Sequence, residues 1–125
     1  ENGLAFHGTE TVLVIDDEQG VRGMLKSILV QHGYKVLEGI DGKHGLKVFY
    51  QHRDEIDLVL LDLSLPAMSG QEVLTELRVR SPEVRVIICT GYAASRPDFA
   101  GASEVVQKPF KVKKLVQTVR QVLDT

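Results

Sequence analysis

Tryptophan is absent from the 125 residues, cysteine occurs once, and neither sign of charge dominates. A single cysteine, Cys89, excludes an internal disulfide and a thiolate zinc cluster. Fifteen lysines and arginines against seventeen aspartates and glutamates give a formal net charge of −2. Without a basic excess the chain lacks the electrostatic footprint of a nucleic-acid binder, so no nucleic acid is expected as a partner of this chain alone. No apolar run approaches the length of a membrane-spanning helix, about 20 residues. No signal-peptide pattern opens the chain, and no membrane contact is expected of this segment. The four histidines, His7, His32, His44 and His52, are scattered without metal-ligand spacing. The first residue is Glu1 rather than Met, which leads us to expect a segment of a longer protein.

What is present is ordinary in composition: 43% hydrophobic and 26% charged residues suit one folded domain. Residues 1–10 show no sustained period and are read as a flank or linker. From residue 11 the chain alternates between two periods. "TVLVI" (11–15) is short, β-branched and apolar, which predicts a buried strand. From Glu18 to about His32, Val21, Met24, Leu25, Ile28 and Leu29 recur at helical spacing, and Gly33 is the expected stop. "KVLEG" (35–39) predicts a second strand. Residues 42–53 predict a weaker helix anchored by Leu46, Phe49 and Tyr50. "DLVLLD" (57–62) is the third strand, and "SLPAMSG" after it is a loop. A helix over about 71–80 follows, with Val73, Leu74 and Leu77 inside. "VRVIICT" (84–90) and "EVVQ" (104–107) are the fourth and fifth strands. A last helix, about 111–123, places Val112, Leu115, Val116, Val119 and Leu123 on one face, with Lys111, Lys113, Lys114 and Arg120 on the solvated one.

Strands alternating with helices predict an α/β fold: a five-stranded parallel sheet covered on both faces. Ligands of such open sheets bind outside the carboxyl ends of the strands. Asp16 and Asp17 end strand one, Asp62 ends strand three, Thr90 ends strand four, and Lys108 follows strand five. All five should meet at one rim. Three convergent carboxylates with one lysine call for a cation, and an all-oxygen ligand set suits Mg²⁺. A carboxylate such as Asp62 can attack phosphorus to form an acyl phosphate. Thr90 and Lys108 can donate hydrogen bonds to phosphoryl oxygens. Glu18 falls to the first turn of the helix, where its charge suits the dipole.

The ordered set "IDD" (15–17), "LLDLSLPAMSG" (60–70), "CTGYA" (89–93) and "QKPF" (107–110) resembles the receiver domain of two-component response regulators over residues 11–124. The resemblance implies strand order 2-1-3-4-5. It implies Asp62 as phosphoacceptor, taking its phosphoryl group from the phosphohistidine of a histidine kinase or a histidine phosphotransfer domain. Asp17 and Asp62, with the backbone carbonyl of Ser64, would hold Mg²⁺, and Asp16 would act mainly through a water. A cis peptide is implied between Lys108 and Pro109. Such a module catalyses only its own phosphorylation and slow dephosphorylation. The opening "GTETVLVIDDE" and the "TGYA" loop are most similar to receivers appended to hybrid histidine kinases, which implies a cytoplasmic domain tethered to a membrane sensor.

The chain departs from the family pattern in two places. Where the family often carries a switch aromatic, three residues before the lysine, it has Val105, so a phosphate sink without conformational output is the alternative to a switch or relay. Tyr92 or Phe99 could stand in for the missing ring. Lys108 follows Thr90 by only 18 positions, with Pro97 between them. This predicts a shortened or irregular fourth helix, and with it a monomeric or weakly dimeric domain. Ser64 and Tyr92 flank the pocket and are expected to tune acyl-phosphate hydrolysis. Two rivals fit less well. A metal-dependent phosphatase would want an acid where Ser64 stands. A flavodoxin-like nucleotide or flavin binder would want a phosphate-cradling loop, not acids, after strand one.

Overall fold

The computed structural model describes residues 6–91 and 102–125. Its elements in chain order are β1 (Thr11–Ile15), α1 (Gln19–Gln31), β2 (Lys35–Gly39), α2 (Gly42–Gln51), β3 (Leu58–Asp62), α3 (Gly70–Arg80), β4 (Arg85–Thr90), β5 (Glu104–Gln107) and α4 (Val112–Leu123). The strands pair in parallel in the order β2-β1-β3-β4-β5. A parallel sheet has no hairpins, so each crossover must return over a face and cover it.

Alternation along the strands sorts the core into two halves. Val12, Val14, Leu58, Leu60 and Ile87 face α1 and α4, meeting Leu25, Leu29, Leu115 and Val119. Leu13, Ile15, Val59, Leu61 and Ile88 face α2 and α3, meeting Phe49, Val73 and Leu77. Covered on both sides, β1 and β3 are buried at every residue and read as continuous apolar runs.

The helices depart from the expected pattern at their margins. Met24, Tyr50 and Val112, assigned to buried faces by period, are 43%, 37% and 50% exposed. Each lies at the edge of its stripe, where the sheet no longer reaches. Glu18 sits at the N-cap of α1 rather than in its first turn, and its side chain makes no capping bond. Arg120 is not on the solvated face. It pairs with Glu10 at 2.7 Å and Asp124 at 2.8 Å, and donates to the hydroxyl of Tyr34. That pairing holds the Glu10 carboxyl down at about 2. Residues read as flank are therefore tied to the last helix. The Gly8 amide also donates to the His32 carbonyl. The expected fourth-helix irregularity, with Tyr92 and Phe99, falls on residues 92–101, outside the described ones.

Gly33 and Gly70 are among the glycines that geometry demands. Gly33 ends α1 at φ 96°, the left-handed conformation that disfavours side chains. Gly70 opens α3 against the strand it came from: a Cβ there would strike the Asp62 carbonyl and Leu63 Cα. Ser69 caps that helix by a reciprocal box with Glu72. Gly70→Ala should therefore destabilise the domain by about 1–3 kcal/mol through overpacking. Gly23→Ala, on the exposed face of α1 with nothing within 4 Å of a new Cβ, should stabilise it by roughly 0.5–1 kcal/mol. Denaturant unfolding of the two variants checks both signs.

Candidate functional site

Three strand ends and one loop build the site. Asp16 follows β1 directly, and its amide donates to the Gly39 carbonyl at the end of β2 (3.1 Å). This bond fixes where the chain leaves the sheet. Asp62 is the last residue of β3, in register with Cys89 on β4. The next amide, Leu63, donates to the Cys89 carbonyl (3.0 Å), and the Gly70 amide returns to the Leu63 carbonyl (3.1 Å). Both ends of the β3–α3 loop are thus pinned beside Asp62. Lys108 follows β5, with its amide on the Thr90 carbonyl (2.7 Å) and a cis peptide to Pro109.

The structure brings Asp16, Asp17, Asp62 and Lys108 together. One carboxylate oxygen from each of the three acids lies within 4.8 Å of the others. Asp16 and Asp62 are 1% and 4% exposed, whereas Asp17 is open to solvent. The Lys108 ammonium donates to Asp62 Oδ1 at 3.2 Å and Asp16 Oδ2 at 3.4 Å. Asp16 Oδ1 also accepts from the Glu18 amide (2.9 Å), and Asp62 Oδ1 from the Ser64 amide (3.2 Å). Thr90 ends the adjacent strand and is fully buried. Val105 is half-buried and packs against the core that α2 and α3 cover.

The charges do not balance. Burial raises the Asp16 pKa, and the Asp62 charge adds to the rise against the Glu18 amide and Lys108. For Lys108, burial alone would lower the pKa, but the charges of Asp16 and Asp62 outweigh it and hold the ammonium protonated. Three carboxylates against one ammonium leave an excess of two negative charges. Donors that are all oxygen, two of them buried and converging within 4.8 Å, fit a hard divalent cation.

Sequence reasoning missed two contributors. Arg22 in α1 and Glu38 in β2 pair at 3.1 Å, and Arg22 Nη1 donates to the Asp16 carbonyl at 2.8 Å. A polar residue on a helix carries no sequence signal for such a reach. Only the register of Glu38 opposite Val14 of β1 places it there.

Comparisons with known proteins bear on the same residues. A family model for the response regulator receiver domain matches residues 12–120. The chain is 32% identical over 128 residues to the sensor kinase CckA of Brucella abortus, spanning 99% of this chain but 14% of that kinase. It is 31% identical over 118 residues to sporulation initiation phosphotransferase F of Bacillus subtilis, spanning 91% of this chain and 94% of that protein. The response regulator TrrA of Thermotoga maritima, solved in complex with Mg²⁺-BeF, matches with TM-score 0.83 at 34% identity over 90% of this chain and 98% of that one. TrrA in complex with the histidine kinase ThkA matches with the same TM-score over 91% of this chain.

The site carries a stability prediction. Because folding raises the Asp16 pKa, folding binds a proton there. The associated penalty is absent below the ordinary carboxylate value of 3.8 and grows as pH rises through the higher folded value. In metal-free buffer at neutral pH, Asp16→Asn should stabilise the domain by about 1 kcal/mol, since Lys108 keeps Asp62 as partner. Thermal melts of both proteins should diverge as pH rises from 3 and coincide at the acid end.

Proposed function

The chain belongs to the response regulator receiver domain family, the phosphoacceptor module of two-component signalling, and we propose that Asp62 is its acceptor. The observation that carries this is the convergence of Asp16, Asp17 and Asp62 with Lys108 spanning the buried pair. In this reading a carboxylate oxygen of Asp62 attacks the phosphorus of a phosphohistidine. A P–O bond forms, the P–N bond breaks, and the imidazole leaves with the electron pair and takes up a proton. Asp16 and Asp17 together with Asp62 and the Ser64 carbonyl would hold Mg²⁺, as the donor set allows. The ion supplies charge neutralisation for the acids and the phosphoryl oxygens.

Lys108 is already seated on Asp62 and can shift its hydrogen bonds to a phosphoryl oxygen on the same carboxylate. Thr90, at the next strand end, can offer its hydroxyl to another. Ser64 and Tyr92 are assigned to tuning the hydrolysis of the product. Val105 has no ring to reorient and is packed against the core, which favours a relay or phosphate sink over an aromatic switch.

The donor is a histidine kinase or a histidine phosphotransfer domain, supported by the likeness to TrrA, which has been solved with such a kinase. The match to part of a sensor kinase supports a cytoplasmic domain tethered to a sensor. Among the described residues no helix is long and apolar enough to cross a membrane. The receiver unit is taken as residues 11–124, with 1–10 as a flank whose last residues Arg120 holds.

Incubation with Mg²⁺ and acetyl phosphate, followed by intact mass measurement, should add one phosphoryl group. The addition should vanish in Asp62→Asn and in chelator. No addition either from acetyl phosphate or from a phosphorylated histidine phosphotransfer domain would overturn the assignment.

A further inference from the structure

We propose that Arg22 is a positioning residue that presets Asp17 for cation binding by clamping the peptide between Asp16 and Asp17. The inference rests on the reading of Asp16, Asp17 and Asp62 as a divalent-cation site. Its starting point is an asymmetry among the three acids. Asp16 and Asp62 are each held by Lys108 and by a backbone amide. Among the described residues nothing donates to the Asp17 carboxylate, which is exposed to solvent. Its place within 4.8 Å of the others is therefore set by its backbone.

The peptide entering Asp17 is the one whose oxygen Arg22 holds. Arg22 Nη1 donates to the Asp16 carbonyl at 2.8 Å while Nε donates to Glu38 Oε1 at 3.1 Å. The guanidinium is a rigid fork, so a bond on one prong orients the other. Glu38 is itself anchored in register with Val14 of β1, and its second oxygen accepts from Lys26 at 3.3 Å. The Arg22 side chain is only 12% exposed. The clamp thus runs from the sheet, through Glu38 and Arg22, to the one peptide plane that aims Asp17. The Asp16 amide is tied on the other side to the Gly39 carbonyl, so both ends of that residue are held.

Electrostatics alone argues against an arginine here. A fixed positive charge against the acid cluster opposes a second cation, and deleting it should tighten binding. A positioning role predicts the opposite sign, because loss of a group that orients a ligand typically weakens metal affinity about 10-fold or more. The two accounts therefore separate cleanly.

Titration of the chain with Mg²⁺, followed by backbone amide shifts, gives the dissociation constant for wild type, Arg22→Met and Arg22→Lys. Arg22→Met should bind about 10-fold more weakly. Without any Mg²⁺, the Glu18 amide that donates to Asp16 should exchange with solvent faster in the variant than in wild type. A variant that binds Mg²⁺ as tightly as wild type or tighter overturns the proposal, whatever its Glu18 exchange. If Arg22→Met does not fold, Arg22→Lys decides. It keeps the charge but loses the fork, and an unchanged Mg²⁺ affinity overturns the proposal. Wild type that fails to bind Mg²⁺ at all removes the cation-site reading itself, and this inference with it.

Discussion

Asp16 and Asp62 are buried at one sheet edge and share a single ammonium, that of Lys108. Like charges in a dry site repel, and a chain selected for stability alone would place apolar groups there. The rest of the architecture makes the arrangement tolerable. Parallel strands all end at the same edge, which is what brings residues 16, 62, 90 and 108 together from across the sequence. The loops leaving that edge turn tightly enough to aim the Glu18 and Ser64 amides back at the carboxylates. Among the described residues every buried side-chain polar atom finds a partner. What stays unbalanced is charge, not hydrogen bonding, and this is the kind of imbalance a cation can remove without rebuilding the fold.

The strands were the most legible part of the sequence. β1, β2 and β5 begin and end where composition and punctuation put them: β1 because burial on two faces leaves little choice but apolar residues, the edge strands β2 and β5 because polar residues or glycine bound a short apolar pair. Asp62 and Lys108 were legible for a related reason: a charged residue at the end of an apolar run has only the rim to go to. Helix faces were less so. Met24 and Val112 keep the helical period yet overhang the sheet, since period records direction around a helix and not how far the neighbour extends. Arg120 reads as one more surface cation until the fold swings Glu10 and Tyr34 against it. Arg22 and Glu38 lie 16 positions apart on elements whose contact depends on register. No local pattern encodes that distance.

The two faces of the sheet carry different burdens at the rim. On one, α1 supplies Arg22 and the Glu18 amide, so its first turn is part of the site as well as of the core. On the other, Gly70 lets α3 start flush against the Asp62 carbonyl, and its capping box fixes the far end of the loop. A shift of either helix along the sheet would move donors away from the carboxylates. The donors to the carboxylates therefore depend on how α1 and α3 seat against the sheet.

Cys89 stands opposite Asp62 in the ladder and is buried. Burial pushes its thiol up to about 12, against the pull of Lys108 and with the push of the nearby acids. A thiolate is a strong nucleophile and the thiol is not. A phosphoryl group carried on Asp62 would turn that carboxyl into an activated acyl centre, open to capture by sulfur as a thioester. It would also add negative charge beside the sulfur and disfavour ionisation further. The same burial that packs the sulfur keeps it protonated, so a thioester with Asp62 would be disfavoured whatever the carboxyl carries.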